Sequence, residues 1–248
     1  VSIEYPEASF PLGGVDRKFR HAITAGEGLS LVGQTSVPEV ILDTVSAFRP
    51  FLDGSIFWGA YGPRVAGDLV NLVQLLDEDP HTRQAVLSIY DADRDLGRTK
   101  MADIPCTVAI QFRRRHQPAP TPFLEVLDMW VMMRSNDVWL GMPYDFGQFV
   151  MLQSAVADAL GVAPGAYHHS AGSLHLYDKH HGVANALTMS LDVPRRIHPV
   201  FGGKRGGSGV ERLGVISSRA RRILIGQYDR LEDPSLFETW LNRVLYGG

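Results

Sequence analysis

Cysteine is the scarcest chemistry-bearing residue in this chain, with Cys106 the only one in 248 residues. One thiol excludes an internal disulfide framework and a cysteine-based zinc site. Long hydrophobic runs are lacking as well. Stretches such as FLEVLDMWVMM are interrupted by carboxylates and fall short of the roughly 18 residues a membrane span requires, so no span is expected. There is no excess of positive charge: 24 Lys and Arg stand against 27 Asp and Glu, the net charge is −3 and the pI is near 6.3. A phosphate-backbone binder leaves a basic footprint that is missing here, and no nucleic-acid partner is expected. The nine histidines include the pairs His168, His169 and His180, His181, but no H-E-x-x-H spacing occurs, so no metal is expected. The N-terminal VSIEYPEASF has no basic stretch followed by an apolar one; no secretory signal is read, and the chain is expected to be cytoplasmic.

What is present fits an ordinary globular protein. Apolar residues make up 45% and charged residues 21%, and the length supports a sizeable core within a single domain over 1–248. Residues 1–35 read as loops with short strands. PEVILDTVSAF, from Pro38, could open a helix. GDLVNLVQLLDE places Leu69, Leu72, Val73 and Leu76 at helical spacing ahead of Pro80, an amphipathic helix. QAVLSIY, TVAIQF and FLEVLDMWVMM read as strands, with RRRHQPAPTP between the last two as a solvated loop. FGQFVMLQSAVADALG reads as a buried helix closed by Gly161, and YHHSAGSLHLY as a strand. GGKRGGSG is expected to be a mobile loop, since it does not satisfy the P-loop pattern, and LFETWLNRVL a terminal helix.

A lone cysteine is either a small core residue or a nucleophile, and its neighbours decide. DIPCTVAIQF, then RSNDVWLGMPYDF, then AYHHSAGSLHLYDKH resemble the thymidylate synthase family in order and spacing, and the resemblance extends through AYGPR and DPHTRQAVLSIY, covering about residues 59–181. It implies an α/β fold with one large mixed sheet flanked by helices, dimeric through sheet packing. It also implies a pyrimidine nucleoside monophosphate as substrate and 5,10-methylenetetrahydrofolate as one-carbon donor. By this resemblance Cys106 would add to C6 of the pyrimidine, with a phosphate pocket rich in arginine favouring its thiolate. Tyr61 would assist loss of the C5 proton. Arg134 and Ser135 match the phosphate-binding pair, and Arg83 an arginine contributed to the partner subunit's site; Gln84 stands where a second arginine is usual. His175 and Tyr177 match the pair on the sugar 3′-hydroxyl, and Asp137 the aspartate that holds the pterin.

One departure points to the base. Where the family carries an asparagine that suits uracil, this sequence has Asp145. A carboxylate accepts from the N4 amino group of cytosine and exchanges a proton with N3, whereas uracil O4 would face it oxygen to oxygen. The same replacement marks the family's cytidylate hydroxymethylase branch. Methylating members also carry a longer, tryptophan-bearing segment before the YG turn; LDGSIFWGAYGPR is short, leaving less wall against water. The expected activity is 5-hydroxymethylation of dCMP or CMP, and the sequence distinguishes no ribose preference. The alternatives are a methylating enzyme on dUMP or dCMP and a noncatalytic nucleotide-binding paralogue. Other departures are Thr107 in place of the histidine after the cysteine, Ile23 where an arginine is expected with Arg20 nearby, a divergent C-terminal tail, and no clear match for the family's early-helix glutamate, to which Asp43 stands nearest.

Overall fold

A computed structural model describes residues 2–5, 10–11, 21–36, 42, 46–98, 103–117, 124–188, 196–197 and 206–225. Strands are β1 (Ser2–Tyr5), β2 (Phe10–Pro11), β3 (Leu52–Asp53), β4 (Ile56–Phe57), β5 (Val86–Ser88), β6 (Thr107–Gln117), β7 (Leu124–Asp137), β8 (Ala163–His175) and β9 (Arg196–Ile197). Helices are α1 (His21–Val32), α2 (Tyr61–Arg64), α3 (Asp68–Glu78), α4 (Ala92–Asp95), α5 (Met142–Leu160), α6 (His181–Thr188) and α7 (Gly209–Leu224).

The main sheet runs β1-β8-β7-β6-β5. Only β7 and β8 pair in parallel; the other neighbours are antiparallel, so the sheet is mixed as expected. A parallel pair needs a crossover, and α5 supplies it. This helix lies against β7 and β8, with α1, α3 and α7 packed around it. Along β7 the side chains alternate: Met129, Val131 and Met133 are buried, while Trp130 is half-buried and Met132 and Arg134 are exposed, the period-two pattern of a strand with one covered face. The buried set joins Phe112, Phe149, Leu152, Val156 and Tyr167 in one core. Gln153 of α5 donates to the carbonyls of Leu127, Gly165 and Ala166, which stitches the parallel pair together beside its register shift between Leu127 and Met129.

Several expectations hold. The helix over 67–78 forms as α3 with Leu69, Leu72, Val73 and Leu76 buried, and α5 ends at Gly161 with φ 70°. Others are corrected. Residues 1–35 contain a twelve-residue helix, α1. It is buried on most sides between Ile23 and Val32, so no apolar stripe stands out against a polar face. At Gly28 a Cβ would sit 2.7 Å from Met151 Sδ, which fixes how closely α1 approaches α5. The RRRHQ stretch is strand, not loop: Arg114 pairs with Glu125 and Leu76 O, and Arg115 with Asp128, so the charges are partnered across the β6–β7 ladder. Residues 46–51 form a 3-10 turn; most of the proposed helix before it, the GGKR portion of the glycine-rich loop and the C-terminal helix over LFETWLNRVL lie outside the described residues.

The turn that carries Tyr61 is anchored by a buried ion pair. Arg64 donates to both oxygens of Asp95 at 2.7 and 2.8 Å, and to the carbonyls of Ile89 and Trp58 at 3.0 Å. Burial alone would push the Asp95 carboxyl up, but hydrogen bonds from Arg64, the Asp91 N–H and Trp58 outweigh it and hold the group below its ordinary range. With the two side chains 3% and 0% exposed, losing one partner strands a buried charge. Asp95→Ala is expected to cost about 3–5 kcal/mol, read as a lowered midpoint in urea denaturation with an unchanged slope.

Candidate active site

Strand ends and helix starts converge on Cys106. The thiol lies just before β6, in a loop held by Arg134 of β7: the Arg134 N–H donates to Cys106 O at 2.8 Å, Nε to Pro105 O at 2.9 Å and Nη2 to Ile104 O at 3.0 Å. Two adjoining cavities, about 210 and 720 Å³, share Cys106 with Glu27, Phe48, Tyr61 and Asp145. The larger also takes in Ser135, Asp137, His175 and Tyr177. The structure therefore brings together seven of the nine residues singled out in the sequence: Cys106, Tyr61, Asp145, Ser135, Asp137, His175 and Tyr177. Arg134 supports the loop from behind, and Arg83 is exposed and lines neither cavity. Asp43 lies outside the described residues.

The thiol differs from expectation. Burial pushes Cys106 above its ordinary range; Arg134 draws it down, while Asp145 and Asp103 add to the rise. A single arginine, with two donors already committed to backbone carbonyls, does not by itself create a thiolate. Arg134 thus acts first as a brace for the Cys106 loop, and its fork is not free for a bidentate phosphate.

Tyr61 opens α2 and stacks on Phe149 of α5, with ring centroids 6.1 Å apart. Its hydroxyl lies 3.0 Å from Thr107 Oγ1 and 3.3 Å from the Thr107 N–H. Burial and then Asp145 push this phenol far above its usual range, against the smaller downward pull of Thr107, so it stays neutral. Thr107 thereby occupies the position after the cysteine with a hydroxyl directed at the tyrosine.

Asp145 stands in the first turn of α5. Its Oδ2 accepts from Asn136 Nδ2 at 2.5 Å and its Oδ1 from Gln148 Nε2 at 2.9 Å. Burial raises the carboxyl from 3.8 to about 6, against the downward pull of these two donors. Glu27 of α1 faces the same space, and burial followed by the Asp145 charge raises it from 4.5 to about 8. Sequence reasoning missed Glu27; its signal was a lone acid within the small, apolar run HAITAGEGLSLV. It also missed Asn136, Gln148 and Asp103, the last of which accepts the Gly59 N–H at 2.8 Å on the cavity wall. Asp137 caps the turn into α5, its Oδ1 accepting from the N–H groups of Trp139 and Leu140. Its Oδ2 is buried without a hydrogen-bond partner among the described residues, 3.9 Å from His175 Nε2. His175 and Tyr177 meet edge to face at 5.2 Å.

The raised Glu27 makes a signed prediction. The folded chain holds a proton on Glu27 that the unfolded chain releases above pH 4.5, so this group's contribution to stability is full below pH 4.5 and is lost as pH rises toward 8. Glu27→Gln removes that loss. The melting temperature of the variant relative to wild type is expected to rise progressively between these pH values, and a flat difference in calorimetry counts against the assignment.

The thymidylate synthase family model matches residues 56–194. Among curated proteins, the chain is 32% identical over 160 residues to a deoxyuridylate hydroxymethyltransferase of Pseudomonas phage M6, covering 62% of this chain and 43% of that one. It is 27% identical over 161 residues to the thymidylate synthase of Buchnera aphidicola subsp. Baizongia pistaciae, covering 60% and 57%. The chain thus spans about half the length of the curated relatives it matches. Solved structures share the fold. The thymidylate synthase from T4 phage superposes with TM-score 0.64 at 20% identity, over 89% of this chain and 82% of that one. Thymidylate synthase A from Bacillus subtilis gives 0.59 at 19%, over 77% and 69%. With the matched stretch running over more than half of its length and through Tyr61, Cys106 and Asp145, the chain belongs to the thymidylate synthase family.

Proposed function

We propose that this chain is a hydroxymethyltransferase acting at C5 of a cytosine nucleotide, dCMP or CMP. The observation that carries the reading is the half-buried carboxylate of Asp145, held by the Asn136 amide in the same cavity as the Cys106 thiol. Cys106 adds to C6 as its thiol proton passes by way of Asp145 to ring N3, and the ring electrons move to C5. Asp145 accepts from the N4 amino group, and Glu27, protonated near neutral pH, keeps a proton beside the ring edge. Tyr61, a neutral phenol tied to Thr107, hydrogen-bonds the water that takes the C5 proton and does not itself become a phenolate. Ser135, a single contact from the Nη1 end of Arg134, and Arg83 of the partner subunit hold the phosphate, while His175 and Tyr177 take the 3′-hydroxyl.

The larger cavity suits a folate. Asp137 Oδ2 has a free lone pair to offer a pterin, and Phe48, Phe51 and Leu140 give an apolar wall. 5,10-Methylenetetrahydrofolate, when bound, supplies the one-carbon unit. Water as the final nucleophile is supported by the smaller cavity, whose lining adds Ser30, Ser36 and Asp103 to Cys106 and gives ordered water several partners. Trp58, the tryptophan before the YG turn, does not line either cavity; its Nε1 donates to Asp95 at 3.1 Å and Arg94 lies over its ring. A homodimer is supported by the other face of the sheet. Val86, Gln111, Trp130 and His168 share one row across the strands, with Trp130 stacked on His168 at 4.4 Å and Met132 55% exposed nearby.

A second reading, hydroxymethylation of deoxyuridylate, is favoured by the name of the phage relative and by the raised Asp145, which once protonated offers a donor and an acceptor as an amide does. Incubation with methylenetetrahydrofolate and each of dCMP, CMP, dUMP and UMP separates the readings. The expected product is a cytosine nucleotide heavier than its methylated counterpart by one oxygen. Release of tritium from C5 is expected to accompany it and to vanish in Cys106→Ala. A methylated product favours the methylating alternative, and no release with any nucleotide favours a binding protein.

A further inference from the structure

Both oxygens of Asp145 are engaged by amides from different elements, Asn136 at the end of β7 and Gln148 one turn along α5. Asn136 is 4% exposed and Gln148 5%, so both donors are held in place from the protein side while Asp145 itself faces the cavity. The Asn136 amide has one workable orientation: turned over, its oxygen would face a carboxylate oxygen. As it stands, Nδ2 also contacts Met133 Sδ at 3.1 Å, and Oδ1 is buried with no partner among the described residues. An unsatisfied buried oxygen is a cost that a leucine of similar volume would avoid, which argues that the amide is present for its donor. On the other side of the cavity Glu27 receives no comparable donor among the described residues. Two carboxylates in one enclosed space do not both ionise freely, and the one with the better donors takes the charge.

We propose that Asn136, together with Gln148, determines base specificity: their amides fix Asp145 as a two-acceptor carboxylate, the form that accepts from N4–H of cytosine and from N3–H once N3 has gained its proton, and that opposes O4 of uracil. The proposal rests on the cytosine reading above and adds the residues that enforce it. Asn136 acts through Asp145 and is a positioning residue. Proton placement is the selector. With the proton on Glu27, Asp145 accepts at both oxygens and fits only a cytosine edge whose N3 carries a proton; with the proton on Asp145, the site presents a donor and an acceptor, which uracil O4 and N3–H can also take, and the selection is lost.

The test measures kcat/KM for C5 tritium release on all four nucleotides with methylenetetrahydrofolate, from about pH 5 to about pH 9, in wild type, Asn136→Leu, Asn136→Ser and Gln148→Leu. Asn136→Leu is expected to lower the cytidylate-to-uridylate ratio about tenfold or more, the effect of one hydrogen bond to a charged group. It is also expected to move the acid limb of the cytidylate profile to higher pH, because a carboxylate deprived of a donor holds its proton longer. Asn136→Ser, which keeps a donor, is expected to recover part of the ratio. Should Asn136→Leu fold poorly, Gln148→Leu removes the other donor and carries the same two readouts. A merely structural role would lower turnover of every nucleotide together and leave ratio and acid limb in place, which overturns the proposal. A wild-type enzyme that prefers uridylate overturns the base reading and the proposal with it. A wild type that prefers cytidylate, with variants that keep its ratio and profile, overturns the proposal alone.

Discussion

Everything at this site follows from enclosing two carboxylates, Glu27 and Asp145, in one cavity with a thiol. Burial disfavours charge, so each acid sits above its ordinary range, at about 8 and about 6, and the charge on Asp145 raises the other. The same negative charge lifts Cys106 and Tyr61. The fold therefore does not hold a set of independently tuned groups. It holds one coupled set in which the charge on Asp145 reaches the other three, added in each case to the larger effect of burial.

The architecture brings these groups together by stacking α1 on α5 and α5 on the parallel pair. α1 reaches Asp145's helix through the contact at Gly28, and Thr24 Oγ1 donates to Tyr144 O at 2.8 Å, beside Asp145. β7 ends where α5 begins, so Ser135, Asn136, Asp137 and Asp145 are delivered by one strand-to-helix turn. β8 runs alongside in register, pairing Asp137 with His175. Catalytic-site candidates at the carboxyl ends of parallel strands, facing a helix start, are what this geometry favours: backbone N–H groups at the start of a helix stabilise negative charge.

Legibility in the sequence tracked how each element is buried. α3 shows one apolar face and was readable from spacing alone. β7 and α5 announced themselves through long apolar stretches, and the residues that line the site came from matching a family motif, not from periodicity. α1 has no contrasting face because it is enclosed, and with it Glu27 went unread in favour of Asp43. The end of β6 was hidden by its charges, since Arg114 and Arg115 are exposed-looking letters whose partners, Glu125 and Asp128, sit on the facing strand. α7 was concealed behind a glycine-rich run, although Ser208 and Glu211 form a capping box that spacing could have revealed. The role of Asn136 was out of reach, because its partner stands nine positions away and meets it only after the chain turns.

Gly62 sets a boundary on what this scaffold can become. A Cβ there would lie 2.0 Å from Thr35 O and 2.4 Å from Ser30 O, so the segment bearing Tyr61 is pressed without clearance onto the turn that follows α1. Reshaping of the pocket cannot proceed from this wall. At the tip of the β3–β4 hairpin a Cβ on Gly54 would meet nothing within 4 Å, but a φ of 63° holds that position to glycine as well, while Phe57 on the same hairpin lines the smaller cavity. Change in the cavity's shape is left to side chains such as Phe57, since neither glycine can take one without moving its backbone.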